Sequence, residues 1–167
     1  DLLKVNDNDF VIITAGKIDN NKQEIISLMK AIRMIGRNNV KLFVFGTVIP
    51  ELREDFSKQV DCEHVFYQGW LEPALTYYYF NAADLLVFPG KHSVYWEQAV
   101  GLGVPCIFKY IKGFSHVDIG GNCRFLENDS PESISGVLIE ILDNPEQYLK
   151  MKTIAQSVGK DFFSYKR

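Results

Sequence analysis

Short apolar runs alternate with amphipathic stretches along the whole chain. Each run is four to six residues long and is closed by, or lies next to, glycine or proline, which is typical of strands buried on both faces. Five strands are predicted on this basis: Phe10–Ala15, Val40–Phe45, Val65–Gln68, Leu85–Phe88 and Pro105–Tyr110.

Between these runs, apolar residues recur at helical spacing. The clearest case is Lys22–Ile35, where one helical face is apolar and the other carries charged and polar residues. Similar stretches predict helices over Pro50–Val60, Pro73–Ala83 and Ser93–Leu102. A late helix is marked by Ile134–Leu142, with Ser130 as its N-cap and Pro131 in its first turn.

This alternation predicts an α/β fold: a doubly wound, Rossmann-like parallel sheet in a single domain, covered by helices on both faces. Ligands in such sheets bind beyond the carboxyl ends of the strands, at the point where the strand order reverses. The segments to inspect are therefore Gly16–Lys22, Gly46–Ile49, Gln68–Leu71, Pro89–Ser93 and Tyr110–Phe114.

Composition narrows the class of protein further. The chain has 167 residues, a net charge of −3 and a pI near 5.6, which argues against a nucleic-acid partner. Its three cysteines form no CxxC pair, which favours a reducing compartment, and we expect a cytoplasmic protein.

No apolar run is long enough for a transmembrane segment. The chain begins with Asp1 rather than Met, so we interpret it as a fragment or a processed form.

Several chemistries of α/β proteins leave no trace in the sequence. The motifs GxxxxGK[ST], GxGxxG after the first strand and GxSxG are all absent, which argues against nucleotide hydrolases, dehydrogenases and serine hydrolases. His64, His92 and His116 are scattered without ligand spacing, so neither a metal nor a bound cofactor is expected. We interpret the nearby pair Cys62 and His64 as incidental.

Two lysines flank the loop after the first strand. Lys17 and Lys22 follow Gly16, and the next helix opens beside Lys22 with free backbone N–H groups. Two ammonium groups at a helix N-terminus suit a diphosphate. The alternative is a pair of solvated surface lysines.

Other candidates follow the third and fourth strands. Glu97, at a helix start, could accept hydrogen bonds from ribose hydroxyls, or could simply interact with the helix dipole. Gly69, Trp70 and Leu71 could hold a planar base, or Trp70 could pack the sheet edge.

His92 and Ser93 occupy the short turn after the fourth strand. Because this turn lies at the predicted ligand edge, the two side chains could contact a ligand. The alternative is an ordinary surface turn.

Five segments in consistent order resemble the C-terminal, nucleotide-sugar-binding domain of GT-B glycosyltransferases, in the "glycosyl transferases group 1" superfamily. They cover nearly the whole chain from Phe10 to about Met151: ITAGKIDNNKQEIISLMKAI, VKLFVFG, VFYQGWLEPALTYYYFNAADLLVFPG, WEQAVGLGVPCIF and GFSHVDIGGNCRFLENDSPESISGVLIEILDNPE. The resemblance implies transfer of a sugar from a nucleotide-sugar donor to an acceptor, without a bound metal, in polysaccharide or glycolipid assembly.

The resemblance also implies residue roles. Lys17 and Lys22 fall where the family binds the donor diphosphate, and Gly69 to Leu71 fall at the loop that touches the base. Glu97 falls on the second glutamate of the family's Glu–seven residues–Glu pair, which holds the ribose.

Two departures from the family qualify this picture. The first family glutamate, which contacts the donor sugar, falls on Pro89, so His92 and Ser93 are the nearest candidates for sugar contact. A GT-B enzyme also has an amino-terminal acceptor domain, which this sequence does not contain. We therefore expect weak nucleotide binding and no transfer by this chain alone. Acceptor glycan, lipid-linked glycan and any membrane surface would be reached through the other half.

Two other functions remain open at this point: a nucleotide-sugar epimerase domain, and a non-catalytic binding module that kept the fold.

Overall fold

The structure, a computed structural model, describes residues 3–20 and 23–163. Its centre is a parallel sheet in the order β3-β2-β1-β4-β5-β6. The order reverses between β1 and β4, as in Rossmann folds. The strands are β1 Phe10–Ala15, β2 Val40–Phe45, β3 Val65–Gly69, β4 Leu85–Phe88, β5 Cys106–Lys109 and β6 Cys123–Leu126. The predicted doubly wound parallel sheet is confirmed.

Helices connect the strands and continue past the sheet. They are α1 Glu24–Ile35, α2 Arg53–Ser57, α3 Pro73–Asn81, α4 Tyr95–Gly101, α5 Pro131–Leu142, α6 Pro145–Ile154 and α7 Lys160–Phe163. A π-helical segment, Ala155–Gly159, joins α6 to α7, and 3-10 turns span Pro50–Leu52 and Ser115–Val117. Within the described ranges, no helix is both long and apolar enough to cross a membrane.

Both faces of the sheet are covered by apolar side chains. On one face, Leu28 of α1 and Leu138 of α5 pack against the strands in one buried cluster. On the other, Phe80 of α3 and Trp96 of α4 belong to a second cluster. Because the strands are buried from both sides, their sequences are continuous apolar runs rather than alternating ones.

Most predicted elements are present with shifted ends. The helix predicted over Pro50–Val60 is a 3-10 turn followed by the five-residue α2. The helix predicted to start at Ser93 starts at Tyr95. The predicted N-cap is confirmed, since Ser130 Oγ accepts the Ser133 N–H at 3.1 Å.

The sequence analysis missed the sixth strand and the helices after Leu142. β6 is short and only its ends, Cys123 and Leu126, are buried, so its pattern is weaker than that of the other strands. It pairs with β5 along the whole of its length.

Candidate functional site

A cavity of about 240 Å³ opens at the carboxyl ends of β1, β2 and β4, where the strand order reverses. Because all strands are parallel, the loops after these strands meet at this edge. The cavity is lined by Thr14, Ala15, Gly16, Lys17, Glu24, Ile25, Phe45, Gly46, Thr47, Trp70, Leu71, Phe88, Pro89, Gly90, Lys91, Ser93 and Tyr95. We call it the switch-point cavity.

Two glycines bring the loops after β1 and β2 together. A Cβ added at Gly46, where φ is +136°, would lie 1.8 Å from the carbonyl oxygen of Gly16. The loops are also tied by hydrogen bonds, since the Ile18 N–H donates to Thr47 O at 2.8 Å and the Ile49 N–H donates to Ile18 O at 3.1 Å. The floor of the cavity is therefore backbone held in a fixed arrangement.

Lys17 supplies a positive charge at the cavity wall. Its side chain is 62% exposed, and its Nζ forms a long ion pair of 3.8 Å with Asp19 Oδ2. Lys22, the second predicted diphosphate ligand, lies outside the described residues. The structure adds Lys91, which the sequence analysis did not single out although it lies in the selected segment Pro89–Ser93.

Trp70 and Leu71 form the wall that follows β3. Gly69 has a φ of +76° and its carbonyl oxygen accepts the Gly46 N–H at 2.7 Å. Trp70 is 65% exposed while Leu71 is buried. The indole therefore does not pack into the sheet edge, which removes the structural alternative considered for it. Base binding by Gly69, Trp70 and Leu71 stays a prediction.

Two buried polar atoms at the cavity have no partner among the described residues: Thr14 Oγ1 and Glu24 Oε2. Glu24 is the first residue of α1, and a Cβ at Gly90 would lie 3.3 Å from its Oε2. Unpartnered buried polar groups cost stability unless a ligand or water satisfies them. The cavity thus offers a hydroxyl and a carboxylate besides its lysines.

Glu97 does not line the switch-point cavity. It lines a separate cavity together with Val94 and Phe163, and Glu97 Oε1 is 2.7 Å from His92 Nε2 and 3.0 Å from His116 Nε2. We call His92, Glu97 and His116 the His–Glu–His cluster. Burial by itself raises the pKa of Glu97, but the hydrogen bonds from His92 and His116 outweigh it and hold the pKa below its usual value.

The sequence analysis predicted that the loops after the first and fourth strands share one edge of the sheet. Lys17 follows β1 and Glu97 lies in the first turn of the helix after β4, so the structure places both at that edge. Ser93 lines the cavity, whereas His92 points its ring into the cluster. The cluster was missed because His92 and His116 are far apart in the sequence. Their common position after the neighbouring strands β4 and β5 was the available signal.

Comparisons with known proteins agree with this architecture. The family model "Glycosyl transferases group 1" matches residues 9–144. No curated protein matches the chain in sequence.

Solved structures share the fold at low sequence identity. A proposed UDP-N-acetylglucosamine 2-epimerase from Listeria monocytogenes is 19% identical with a TM-score of 0.76, over 94% of this chain and 43% of that one. HepE from Anabaena, solved with UDP, is 16% identical with a TM-score of 0.75, over 94% and 45%. The catalytic domain of cholesterol-α-glucosyltransferase from Helicobacter pylori is 14% identical with a TM-score of 0.74, over 92% and 98%. The chain thus spans less than half of the first two.

Proposed function

Because the chain belongs to the glycosyl transferases group 1 family, we propose that it is the donor-binding domain of a glycosyltransferase. In this proposal the switch-point cavity binds a nucleotide-sugar, and a second domain presents the acceptor. The observation that carries the proposal is the cavity itself, which has lysines on two loops and an exposed indole on a third. Assembly of a polysaccharide or glycolipid is the context that we propose from the family resemblance.

The lining residues suggest how the donor is divided among the loops. Lys17 and Lys91 line the cavity from the loops after β1 and β4, so each would donate charge-assisted hydrogen bonds to a diphosphate bound there. The exposed face of Trp70 is available for stacking a base. Because the family's sugar-contacting glutamate falls on Pro89, His92 and Ser93 in the same turn remain the candidates for contact with the donor sugar.

The predicted ribose role of Glu97 stays a prediction. The geometry sets a condition on it, because a ribose would have to extend beyond the switch-point cavity and compete with two imidazoles for the carboxylate. Binding of UDP and of its 2′,3′-dideoxy analogue to the chain and to Glu97→Gln tests this role. A ribose contact requires the variant to lose the preference for UDP.

The epimerase alternative is favoured by the similarity to the Listeria structure, which covers 94% of this chain. An epimerase converts a UDP-sugar with no acceptor present, whereas a transferase releases free nucleotide only as sugar moves to an acceptor or to water. Incubating a protein that carries both halves with UDP-sugar alone, and identifying the products, distinguishes the two.

The third possibility, a non-catalytic module, is favoured by Pro89 at the position of the first family glutamate. Such a module would bind nucleotide but would convert no UDP-sugar, whether or not an acceptor is present.

The direct test of the donor site is calorimetry with UDP and uridine. Lys17→Ala and Lys91→Ala should each weaken UDP binding by about ten-fold, since a charge-assisted hydrogen bond is worth about 1.5–3 kcal/mol and partial exposure lowers this. Uridine binding should change little because it has no phosphate. GDP and ADP replace UDP if the base differs.

Lys30→Ala is the matched control, because Lys30 is an exposed lysine of α1 that does not line the cavity. Like the other two variants it removes one positive charge, but this charge lies away from the cavity. UDP affinity should therefore stay unchanged. Equal loss in Lys30→Ala and Lys17→Ala, or equal loss of UDP and uridine, would contradict the assignment.

A further inference from the structure

Glu24, the first residue of α1, brings to the switch-point cavity a carboxylate that the fold does not fully satisfy. Its Oε2 atom is buried and has no hydrogen-bond partner among the described residues. Thr14 lines the same cavity and is fully buried, and its Oγ1 also has no partner in the described ranges. Because unpartnered buried polar atoms lower stability, these two atoms mark a place where a bound molecule would supply the missing hydrogen bonds.

The carboxylate of Glu24 lies against the loop after β4. A Cβ added at Gly90 would lie 3.3 Å from Glu24 Oε2 and 3.5 Å from its Cδ. Gly90 does not have a positive φ, so its backbone does not require glycine, and the missing side chain leaves room for the carboxylate. Gly90 directly follows Pro89, where the family's sugar-contacting glutamate falls. The chain therefore lacks that acid on the loop itself but holds an acid from α1 against it.

The chemistry of an ionised carboxylate restricts what Glu24 can bind. A carboxylate only accepts hydrogen bonds, so its partner must carry a hydroxyl or an N–H group. Diphosphate oxygens carry neither and repel the carboxylate, so the diphosphate proposed for Lys17 and Lys91 is not this partner. The donors that a nucleotide-sugar does offer are the hydroxyl groups of its sugars and the N–H groups of its base.

The order of the strands separates the base from Glu24. Trp70, the surface proposed for the base, follows β3, whereas Gly90 follows β4, and β2 and β1 lie between these two strands. Lys17 follows β1, between the two loops. A nucleotide-sugar that lies along this edge, with its base at Trp70 and its diphosphate at Lys17, brings its donor sugar to the loop after β4. The donor sugar is therefore the part that reaches Glu24.

We propose that Glu24 determines donor specificity by accepting hydrogen bonds from hydroxyl groups of the donor sugar. In this role it replaces the family's sugar-contacting acid, whose position is taken by Pro89. The inference rests on the proposed donor-binding function and adds to it a residue that the family resemblance does not assign.

Calorimetry on the chain tests this role, with UDP, UDP-glucose, UDP-galactose and UDP-N-acetylglucosamine as ligands. The ratio of the Kd of UDP to the Kd of a UDP-sugar isolates the contribution of the sugar. We expect at least one of these UDP-sugars to bind the parent chain more tightly than UDP does. Glu24→Gln should lower this ratio by about ten-fold, the effect of losing one hydrogen bond to a charged acceptor, while UDP affinity changes little.

Glu24→Asp separates a sugar contact from a structural role. Aspartate keeps the negative charge at the start of α1, where it interacts favourably with the helix dipole, but its shorter side chain withdraws the carboxylate from the loop after β4. A sugar contact predicts that Glu24→Asp loses the preference for the UDP-sugar as Glu24→Gln does. A structural role predicts that it behaves like the parent chain.

Glu132→Gln is the matched control, because Glu132 is an exposed acid in the first turn of α5 that does not line the cavity. It should leave the affinities for UDP and for the UDP-sugars unchanged. UDP binding by each variant also shows that the variant is folded.

Three results would overturn the role of Glu24: an unchanged ratio in Glu24→Gln, a Glu24→Asp chain that keeps the preference, or a parent chain that binds UDP but no UDP-sugar more tightly. A parent chain that binds neither UDP nor any UDP-sugar contradicts the donor site itself. Failure of this inference and failure of the proposed function therefore give different results.

Discussion

The two edges of the sheet treat their polar groups differently. At the amino edge, Asp61 Oδ1 accepts the N–H groups of Glu63, His64 and Val65 at 3.0, 2.8 and 2.9 Å. Asp84 Oδ2 accepts the Val11 N–H at 2.9 Å. These carboxylates fasten loops to strands.

At the carboxyl edge, the His–Glu–His cluster is hydrogen-bonded, but the switch-point cavity holds buried polar atoms that have no partner among the described residues. Thr14 Oγ1 and Glu24 Oε2 are buried without a partner in the described ranges, and Lys17 is largely exposed. The amino edge has one such atom of its own, His64 Nε2. The difference is that the carboxylates at the amino edge stabilise the fold, whereas the switch-point cavity holds buried polar atoms that lower stability unless a ligand or water satisfies them.

Gly46→Ala should have the largest effect on stability, because the loops after β1 and β2 are in contact at this glycine. In Gly46→Ala the new Cβ meets the Gly16 carbonyl at 1.8 Å, and backbone cannot move aside as a flexible side chain can. We expect the free energy of unfolding to fall by about 3 kcal/mol, the upper end of typical overpacking costs. Urea denaturation measures it.

Gly136→Ala is the control for this substitution. Gly136 lies inside α5 with no atom within 4 Å of an added Cβ. Alanine is the better helix former by about 1 kcal/mol, so this variant should be more stable than the parent chain. A Gly46→Ala chain as stable as the parent would show that the two loops are not fixed against each other.

Asp61→Asn should have the next largest effect, at the amino edge. Burial by itself raises the pKa of Asp61, but hydrogen bonds from the backbone N–H groups of Val65, His64 and Glu63 outweigh it and hold the pKa far below its usual value. Loss of the charge weakens these bonds. Since the side chain is 24% exposed, we expect a loss of about 1–2 kcal/mol at pH 7.

The sign of the pH dependence follows from the lowered pKa. The stabilisation by Asp61 is complete above the ordinary aspartate pKa, near 3.9, and is lost as the pH falls toward the lower pKa of the folded state. Between pH 7 and pH 3 the gap between parent and variant should therefore narrow by up to about 1 kcal/mol. Glu63→Gln, which neutralises an exposed neighbouring acid, should show no such narrowing.

The sequence predicted the parts of the molecule that depend on local pattern. Five strands and the parallel sheet followed from apolar runs, and the positions of Gly16, Lys17 and Ser93 followed from the rule that ligands bind beyond strand ends. Thr14 was hidden inside an apolar run, and Glu24 read as an ordinary charge on a helix. These two side chains are notable because their buried polar atoms have no hydrogen-bond partner among the described residues. Only the three-dimensional structure shows this.

The His–Glu–His cluster illustrates the same limit. Glu97 was selected for its place at a helix start. Its partners, His92 and His116, lie in the segments after β4 and β5, and their contact with Glu97 is formed only in the folded chain. The weakly patterned β6 was missed for a related reason, since its place is fixed by pairing with β5 rather than by its own periodicity.

Thr14→Val gives the smallest effect and the most direct test of the contrast between the edges. Thr14 is fully buried, and its hydroxyl has no partner in residues 3–20 or 23–163. Valine has nearly the same shape and no hydroxyl, so the desolvation cost disappears, and an unsatisfied buried group costs about 1–3 kcal/mol. We expect the variant to be more stable by about 1 kcal/mol, or about 2–4 °C in Tm for a chain of this size.

The matched control is Thr76→Val, because Thr76 is equally buried but its hydroxyl donates to Glu72 O at 3.5 Å. Removing a partnered hydroxyl leaves the Glu72 carbonyl without that donor, so this variant should gain no stability. If the hydroxyl of Thr14 is kept for a ligand, Thr14→Val should also bind UDP more weakly while being the more stable protein, and stability and affinity would move in opposite directions. A Thr14→Val chain that is less stable than its parent would show that the hydroxyl already serves the fold, and the contrast between the two edges would not extend to this position.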